Sequence, residues 1–138
     1  MQRTDFSKVV QTCVRNFEEI AGLRGLTLES DIAKQVEQNI NPVLADIMVA
    51  NLVKNAIRHN DENGWIKVEL TPERLAVSNA GQPPQIPTEQ LFQRFQKSSS
   101  NGSSLGLGLS IVKKICEVSN WEAEYKYAGN VHQISVIF

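Results

Sequence analysis

Two asparagines one helical turn apart are the residues of this sequence best placed to do chemistry. Asn51 and Asn55 fall on one face of a predicted helix that is otherwise apolar, and Arg58 and His59 continue that face one turn later. A buried amide without a partner costs about 1–3 kcal/mol. The two residues are therefore either core amides with satisfied hydrogen bonds or part of the wall of a polar ligand site.

A second candidate site lies in the sequence Leu105-Gly106-Leu107-Gly108-Leu109, where two glycines precede a predicted helix. The first amides of a helix have no intrahelical partner, and glycine lets a phosphate approach them closely. The same pattern is also typical of a flexible surface loop that ends in a tight turn. It is neither a P-loop, which contains Gly-Lys-Ser/Thr, nor a dinucleotide-binding fingerprint.

The element that must position the two asparagines is a helix predicted over residues 42–59. Asn41 can cap its N-terminus, and Pro42 suits the first helical position because no backbone donor is needed there. The predicted apolar face consists of Leu44, Ile47, Met48 and Leu52. At about 100° per residue, Asn51 and Asn55 are expected to point into this face.

The other predicted elements alternate between helices and strands along the chain. Helices are predicted over residues 5–21, 87–95 and 110–118. Strands are predicted over residues 26–29, 32–36, 65–70, 74–79, 121–127 and 131–138. We expect the first two strands to pair with each other, and Asn63-Gly64 to form a tight hairpin turn. This order predicts an α+β fold, a two-layer α/β sandwich with a mixed, mostly antiparallel sheet and the helices packed on one face.

Composition excludes several classes of function. A chain of 138 residues is the size of one domain, and its net charge of −1 gives no broad basic surface for nucleic acid or anionic membrane. No apolar run approaches the roughly 20 residues of a membrane helix. Cys13 and Cys116 are too few and too far apart for a disulfide framework or a zinc site, so we expect two buried thiols and a reducing, cytosolic compartment.

Three motifs in one order resemble those of the ATP-binding catalytic domain of sensor histidine kinases. This family shares its superfamily with gyrase, a heat-shock chaperone and mismatch-repair ATPases. Residues 51–56 resemble the N box, residues 91–95 the phenylalanine box, and residues 106–112 the second glycine box. The resemblance covers nearly the whole chain, and three motifs in the right order are far more specific than any one of them.

The resemblance implies ATP and Mg²⁺ as ligands and assigns a role to each candidate residue. Asn55 would bind the metal through its amide oxygen, and Asn51 would lie near the metal and the phosphates. Arg94 and Lys97, beside the loop that acts as the ATP lid, would stabilise charge on the transferring group. The implied ATP-binding residues are Asn51, Asn55, Arg58, His59, Asn79, Gly81, Leu105, Gly106, Leu107, Gly108 and Leu109.

The identity of residue 51 discriminates between reactions. Relatives that hydrolyse ATP carry a glutamate at this place, which activates water. An amide is a poor general base because its oxygen is hardly basic at neutral pH. Asn51 therefore favours transfer of the γ-phosphoryl group to a protein side chain over hydrolysis.

The chain departs from the family pattern at the first glycine box, which usually reads Asp-x-Gly-x-Gly. Asn79 stands in place of the aspartate, and its oxygen can still accept a hydrogen bond from the adenine amino group, without the assistance of a charge. Pro83 replaces the second glycine and stiffens the hinge before the lid. Ser104-Leu105 stands where a Gly-Ser or Gly-Thr pair is common.

A phosphoacceptor histidine is not expected in this chain. His59 lies inside the N box, and we expect no special role for His132 on the last strand. The expected function is that of a single, mostly monomeric ATP-binding domain that phosphorylates a histidine on a separate dimerisation domain of its parent kinase, and a response regulator indirectly. Two alternatives stay open. One is a non-catalytic nucleotide-binding regulatory module, suggested by Asn79, Pro83 and Leu105. The other is a serine kinase of the anti-sigma type, although such relatives typically carry an acidic residue where this chain has Asn51.

Overall fold

The computed structural model describes residues 3–84 and 105–138. These ranges contain three helices and seven strands. The helices are α1 (Phe6–Leu23), α2 (Pro42–Arg58) and α3 (Leu105–Val118). The strands are β1 (Arg3–Asp5), β2 (Thr27–Ile32), β3 (Glu37–Asn39), β4 (Trp65–Leu70), β5 (Arg74–Ala80), β6 (Glu122–Ala128) and β7 (Val131–Ile137). No helix in the described ranges has both the length and the apolar character that a membrane span requires.

Five of the strands form one mixed sheet in the order β2-β4-β5-β7-β6. β2 and β4 are parallel, and the other three pairs are antiparallel. β1 and β3 form a separate antiparallel pair. Helices cover one face of the main sheet, so the prediction of a two-layer α+β sandwich is confirmed.

The register of the sheet places two polar residues among the apolar ones that face the helices. Ile66 and Val68 of β4 are fully buried, whereas Lys67 between them is exposed, because successive residues of a strand point to opposite faces. Asn79 lies opposite Ile66 on one side and opposite His132 on the other. Both polar side chains therefore lie on the helix-facing side of the sheet, where β5 ends and β7 begins.

Helix α2 begins and ends close to the predicted positions because its signals are local. The Asn41 side-chain oxygen accepts a hydrogen bond of 2.8 Å from the Val43 amide, and Pro42 is the first helical residue. Met48 and Leu52 are fully buried against the sheet and the neighbouring helices. The predicted strands at residues 65–70 and 74–79 and the final hairpin are confirmed as well.

The substitution Asn41→Ala is expected to lower the free energy of unfolding by about 1 kcal/mol, because the Val43 amide loses its cap. Urea denaturation followed by circular dichroism measures the difference. Asn39→Ala, an exposed asparagine on β3, is the matched control and should change stability by less than about 0.5 kcal/mol. Equal losses in both variants would show that the cap contributes nothing.

Two local predictions are wrong because they depend on distant partners. Residues 32–36 do not form a strand that pairs with the preceding one, since β2 extends to Ile32 and pairs in parallel with β4. Gln35 has a positive φ of 58°, which ends the extended backbone before β3. Asn63 also has a positive φ of 58°, so the predicted turn is present, but it leads from α2 into β4 and is not a hairpin. The helix predicted at residues 87–95 lies outside the described residues.

Candidate functional site

Asn51 and Asn55 lie at the border of the buried face of α2 and not inside it. Ile47, predicted to be part of the apolar face, is 39% exposed, so the buried face is rotated away from it. Both asparagines are half-buried as a result. The Asn51 side-chain nitrogen donates a 2.9 Å hydrogen bond to the Ile47 carbonyl one turn earlier. Among the described residues, nothing forms a hydrogen bond with the Asn55 side chain.

Helix α3 brings the glycine motif to Asn51. A methyl group added at Gly108 would lie 3.4 Å from the Asn51 side-chain oxygen, so the two motifs are in contact distance. The helix starts at Leu105 and not at Ser110 as predicted. The first amides of α3, which lack an intrahelical acceptor, therefore lie within the glycine motif itself.

The end of β5 is joined to the end of α2 by Asn79. This side chain is 2% exposed, and its nitrogen donates to the His59 carbonyl at 3.2 Å and to the Ala80 carbonyl at 2.8 Å. Both amide hydrogens are thus engaged by acceptors, which fixes the orientation of the amide. No donor among the described residues reaches the Asn79 oxygen, and this oxygen is not one of the fully buried atoms that lack a partner.

Gly81 follows Asn79 in a space that admits no side chain. A methyl group there would lie 2.5 Å from the His59 carbonyl oxygen and 2.7 Å from Cδ2 of His132. The Gly81 amide donates to the Asn130 carbonyl at 3.1 Å, and the Tyr127 hydroxyl lies 3.1 Å from the Gly81 carbonyl oxygen. The first glycine box is therefore held between α2 on one side and the β6–β7 hairpin on the other.

The end of α2 contributes one neutral ring and one cation. His59 is half-buried at the C-cap, where its amide donates to the Asn55 carbonyl at 3.0 Å. Burial, with smaller contributions from His132 and Arg58, lowers the pKa of His59 below its usual value of 6.5. Arg58 is exposed. At neutral pH the ring of His59 is therefore uncharged beside the Arg58 cation.

His132 is a residue of this site to which sequence reasoning assigned no role. It is 4% exposed, and its Nε2 lies 2.7 Å from the Gln82 carbonyl oxygen. Its Nδ1 lies 2.8 Å from the hydroxyl of Tyr125. The alternation of buried residues on β7 could have identified it as inward-facing, but nothing in the local sequence indicates that β7 lies beside β5.

The structure thus brings three of the predicted motifs together around α2, namely the N box and the two glycine boxes. Asn51 meets the glycine motif at Gly108, and His59 meets the first glycine box at Asn79 and Gly81. Arg94 and Lys97 lie outside the described residues. Among the described residues, no group of three or more acidic, histidine or cysteine side chains could bind a metal ion. The polar groups that the site offers are the backbone amides at the start of a helix, the side-chain oxygens of asparagines and a neutral imidazole.

Comparison with known proteins shows which family this chain is similar to. Residues 40–135 match the protein family described as histidine kinase-, DNA gyrase B-, and HSP90-like ATPase. The sensor histidine kinase HprS of Escherichia coli strain K12 is 34% identical over 126 residues, a match that covers 83% of this chain. The sensor histidine kinase TmoS of Ectopseudomonas mendocina is 26% identical over 127 residues, 85% of this chain.

Among solved structures, the catalytic domain of the histidine kinase ThkA superimposes with a TM-score of 0.80 at 25% identity. The match covers 98% of this chain and 92% of that domain. In contrast, the matched region spans 28% of the length of HprS and 13% of the length of TmoS. The similarity is therefore to one domain of these longer proteins.

Proposed function

Because the chain belongs to the family of histidine kinase-, DNA gyrase B- and HSP90-like ATPases, we propose that it is the catalytic domain of a sensor histidine kinase. In this proposal residues 1–138 act as one domain that transfers the γ-phosphoryl group of ATP to a histidine on a separate dimerisation domain. The observation that carries the proposal is the convergence on α2, where Gly108 approaches Asn51 and Gly81 approaches His59.

The phosphate end of the proposed site lies at the start of α3. The first amides of α3 are donors on a positive helix end, which is the arrangement that binds phosphate oxygens. Gly108 keeps the Asn51 side chain close to these donors because no methyl group separates them. Arg94 and Lys97 would add positive charge from the phenylalanine box and the lid.

Asn55 fits the role of the Mg²⁺ ligand. Mg²⁺ prefers oxygen ligands, and in phosphate sites it takes most of them from phosphates and water, so one or two protein oxygens suffice. The Asn55 side chain is half-buried, one turn from Asn51, and makes no hydrogen bond to another described residue. When bound, the metal would neutralise charge on the phosphates.

Asn79 fits the role of the adenine acceptor. Its nitrogen gives both hydrogens to the carbonyls of His59 and Ala80, so its oxygen is the atom left to meet a ligand. An acceptor in this position complements the amino group of adenine and opposes the carbonyl group that guanine carries at the same place. We therefore propose that the neutral amide preserves the preference for ATP.

Residue 51 favours phosphoryl transfer over hydrolysis. The Asn51 nitrogen donates to the Ile47 carbonyl, and its oxygen, which faces Gly108, has no basicity at neutral pH. A water molecule beside it would keep its proton. The nucleophile is then the imidazole of the dimerisation domain, which attacks the γ-phosphorus as the bond to the β-phosphate oxygen breaks.

Calorimetry with a non-hydrolysable ATP analogue tests the site. The unmodified chain is expected to bind the analogue at least about tenfold more tightly with Mg²⁺ than without it, a difference of about 1.4 kcal/mol. Asn55→Ala is expected to lose this metal dependence while retaining its circular dichroism spectrum. Asn16→Ala, an exposed asparagine on α1, is the matched control and should bind like the unmodified chain.

The identity of the phosphorylated residue then distinguishes a histidine kinase from a serine kinase. Transfer to a histidine gives an acid-labile phosphoryl group on an added dimerisation domain, whereas a serine kinase of the anti-sigma type gives an acid-stable one. Absence of analogue binding at millimolar concentration would contradict the proposal. Binding of the analogue without any transfer to the dimerisation domain would favour the non-catalytic nucleotide-binding module. Undiminished transfer by Asn55→Ala would show that Asn55 is not needed to bind the metal ion.

A further inference from the structure

The β6–β7 hairpin carries two hydrogen-bonded polar side chains, one buried and one half-buried, that reach the segment after β5. His132 of β7 lies 2.7 Å through Nε2 from the Gln82 carbonyl oxygen, and 2.8 Å through Nδ1 from the Tyr125 hydroxyl of β6. Both ring nitrogens therefore have a partner. Gln82 follows Gly81 directly, within the first glycine box.

The partners of His132 determine which nitrogen carries the proton. A carbonyl oxygen only accepts hydrogen bonds, so Nε2 must be the protonated nitrogen that donates to Gln82. Nδ1 of the neutral ring then accepts from the Tyr125 hydroxyl. Burial lowers the pKa of His132, although the Gln82 carbonyl and the charge of Asp61 oppose that effect. The neutral ring in this one tautomer satisfies all three groups.

Further contacts from the same hairpin fix the residues on either side. The Gly81 amide donates to the Asn130 carbonyl, and the Tyr127 hydroxyl lies 3.1 Å from the Gly81 carbonyl oxygen. The Gln82 side chain itself donates a hydrogen bond of 3.2 Å to the Asp61 carboxylate. The Gln82 carbonyl is thus one of several hydrogen-bonded groups in this segment. Among the described residues, His132 is its only hydrogen-bond partner.

We propose that His132 is a positioning residue of the nucleotide site, which holds the Gln82 carbonyl and thereby keeps Asn79 and Gly81 in place to receive the adenine ring. Tyr125 acts through His132, because its hydroxyl can donate to Nδ1 of the tautomer that the Gln82 carbonyl selects. This inference deepens the proposed function and rests on it. In this proposal His132 does not contact the reacting atoms, so its substitution changes nucleotide affinity and not the transfer step.

Three substitutions at His132 separate hydrogen bonding from packing. In His132→Gln the terminal amide nitrogen occupies the place of Nε2 and can still donate to Gln82. The amide of His132→Asn is too short to reach that carbonyl, and His132→Phe fills the space without any donor. We expect the asparagine and phenylalanine variants to bind the Mg²⁺-bound ATP analogue about tenfold more weakly, and the glutamine variant within about threefold of the unmodified chain.

Two further measurements test the same role. Phosphoryl transfer at saturating ATP should be unchanged in all three variants, so that kcat stays constant while KM rises in the asparagine and phenylalanine variants. Amide hydrogen exchange of Gly81, measured without nucleotide, should be faster in His132→Phe and near the unmodified rate in His132→Gln. This exchange experiment does not depend on catalysis.

The outcomes distinguish the two proposals. Absence of analogue binding by the unmodified chain would overturn the proposed function, and with it the role of His132 in nucleotide binding. If the unmodified chain binds and His132→Phe or His132→Asn binds equally well, the proposal for His132 is wrong. Equal losses in the glutamine and phenylalanine variants would show that a donor to the Gln82 carbonyl does not restore binding, which also overturns it.

Discussion

Gly81→Ala is expected to reduce affinity for the Mg²⁺-bound ATP analogue at least about 100-fold and to lower the free energy of unfolding by about 2 kcal/mol. The added methyl group would lie 2.5 Å from the His59 carbonyl oxygen and 2.7 and 2.9 Å from two atoms of the His132 ring. The carbonyl is part of the backbone, and the ring is held by hydrogen bonds at both nitrogens. Neither neighbour can move aside without breaking contacts that define the site.

Calorimetry and urea denaturation measure the two effects of Gly81→Ala. The matched control is Gly22→Ala on α1, where an added methyl group meets no atom within 4 Å. Alanine favours a helix over glycine by up to about 1 kcal/mol, so the control should be as stable as the unmodified chain or more stable. If Gly81→Ala binds the analogue normally, the close packing of Gly81 against His59 and His132 is not required for nucleotide binding, and this prediction is wrong.

Asn79→Asp is expected to destabilise the protein by about 3 kcal/mol at neutral pH, although aspartate is the usual residue of the family at this place. The Asn79 nitrogen donates to the carbonyls of His59 and Ala80, and a carboxylate oxygen in its position would face two acceptors. A buried charge without a donor costs more than a buried neutral group. Restoring the family residue should therefore weaken nucleotide binding and not strengthen it.

The pH dependence gives this prediction a second readout. Burial against two carbonyls raises the pKa of a carboxyl group, because only the protonated form can donate. The penalty is therefore small below about pH 3, where an unfolded aspartate is also largely protonated, and it grows as the pH rises through the unfolded pKa of about 3.9. Urea denaturation at pH 4.5 and pH 7 should show the difference, with exposed Asn39→Asp on β3 as control. Equal stability of Asn79→Asp and the unmodified chain at pH 7 would contradict the described orientation of the amide.

Elements whose signals are local could be predicted from the sequence. Helix α2 has its cap at Asn41 and its proline at the first position, and β4 has strict alternation from Trp65 to Leu70. The strand predicted over residues 32–36 failed because β2 is defined by its parallel pairing with β4 across the whole of α2. The start of α3 was placed too late because glycine has a low helix propensity, which the contact between α3 and α2 overrides.

The site shows the same division between local and distant information. Asn51, Asn55, Asn79 and Gly81 belong to recognisable motifs, so they could be named as candidate site residues from the sequence, whereas their contacts could not be predicted. His132 belongs to no motif. Its position follows from the pairing of β7 with β5, which places it directly opposite Asn79. That pairing joins residues far apart in the sequence, and no pattern within β7 identifies its neighbour.

The position of β7 in the sheet has a consequence for synthesis of the protein on the ribosome. β7 is made after every other strand of the sheet, yet it lies between β5 and β6. Until it emerges, β5 has an open edge, and Gly81 and Gln82 lack the contacts that Asn130 and His132 provide. A nascent chain that carries all three sequence motifs therefore still lacks the contacts that hold the proposed adenine side of the site. Nucleotide can stabilise the domain only after β7 has joined the sheet, so it cannot guide the earlier steps of folding.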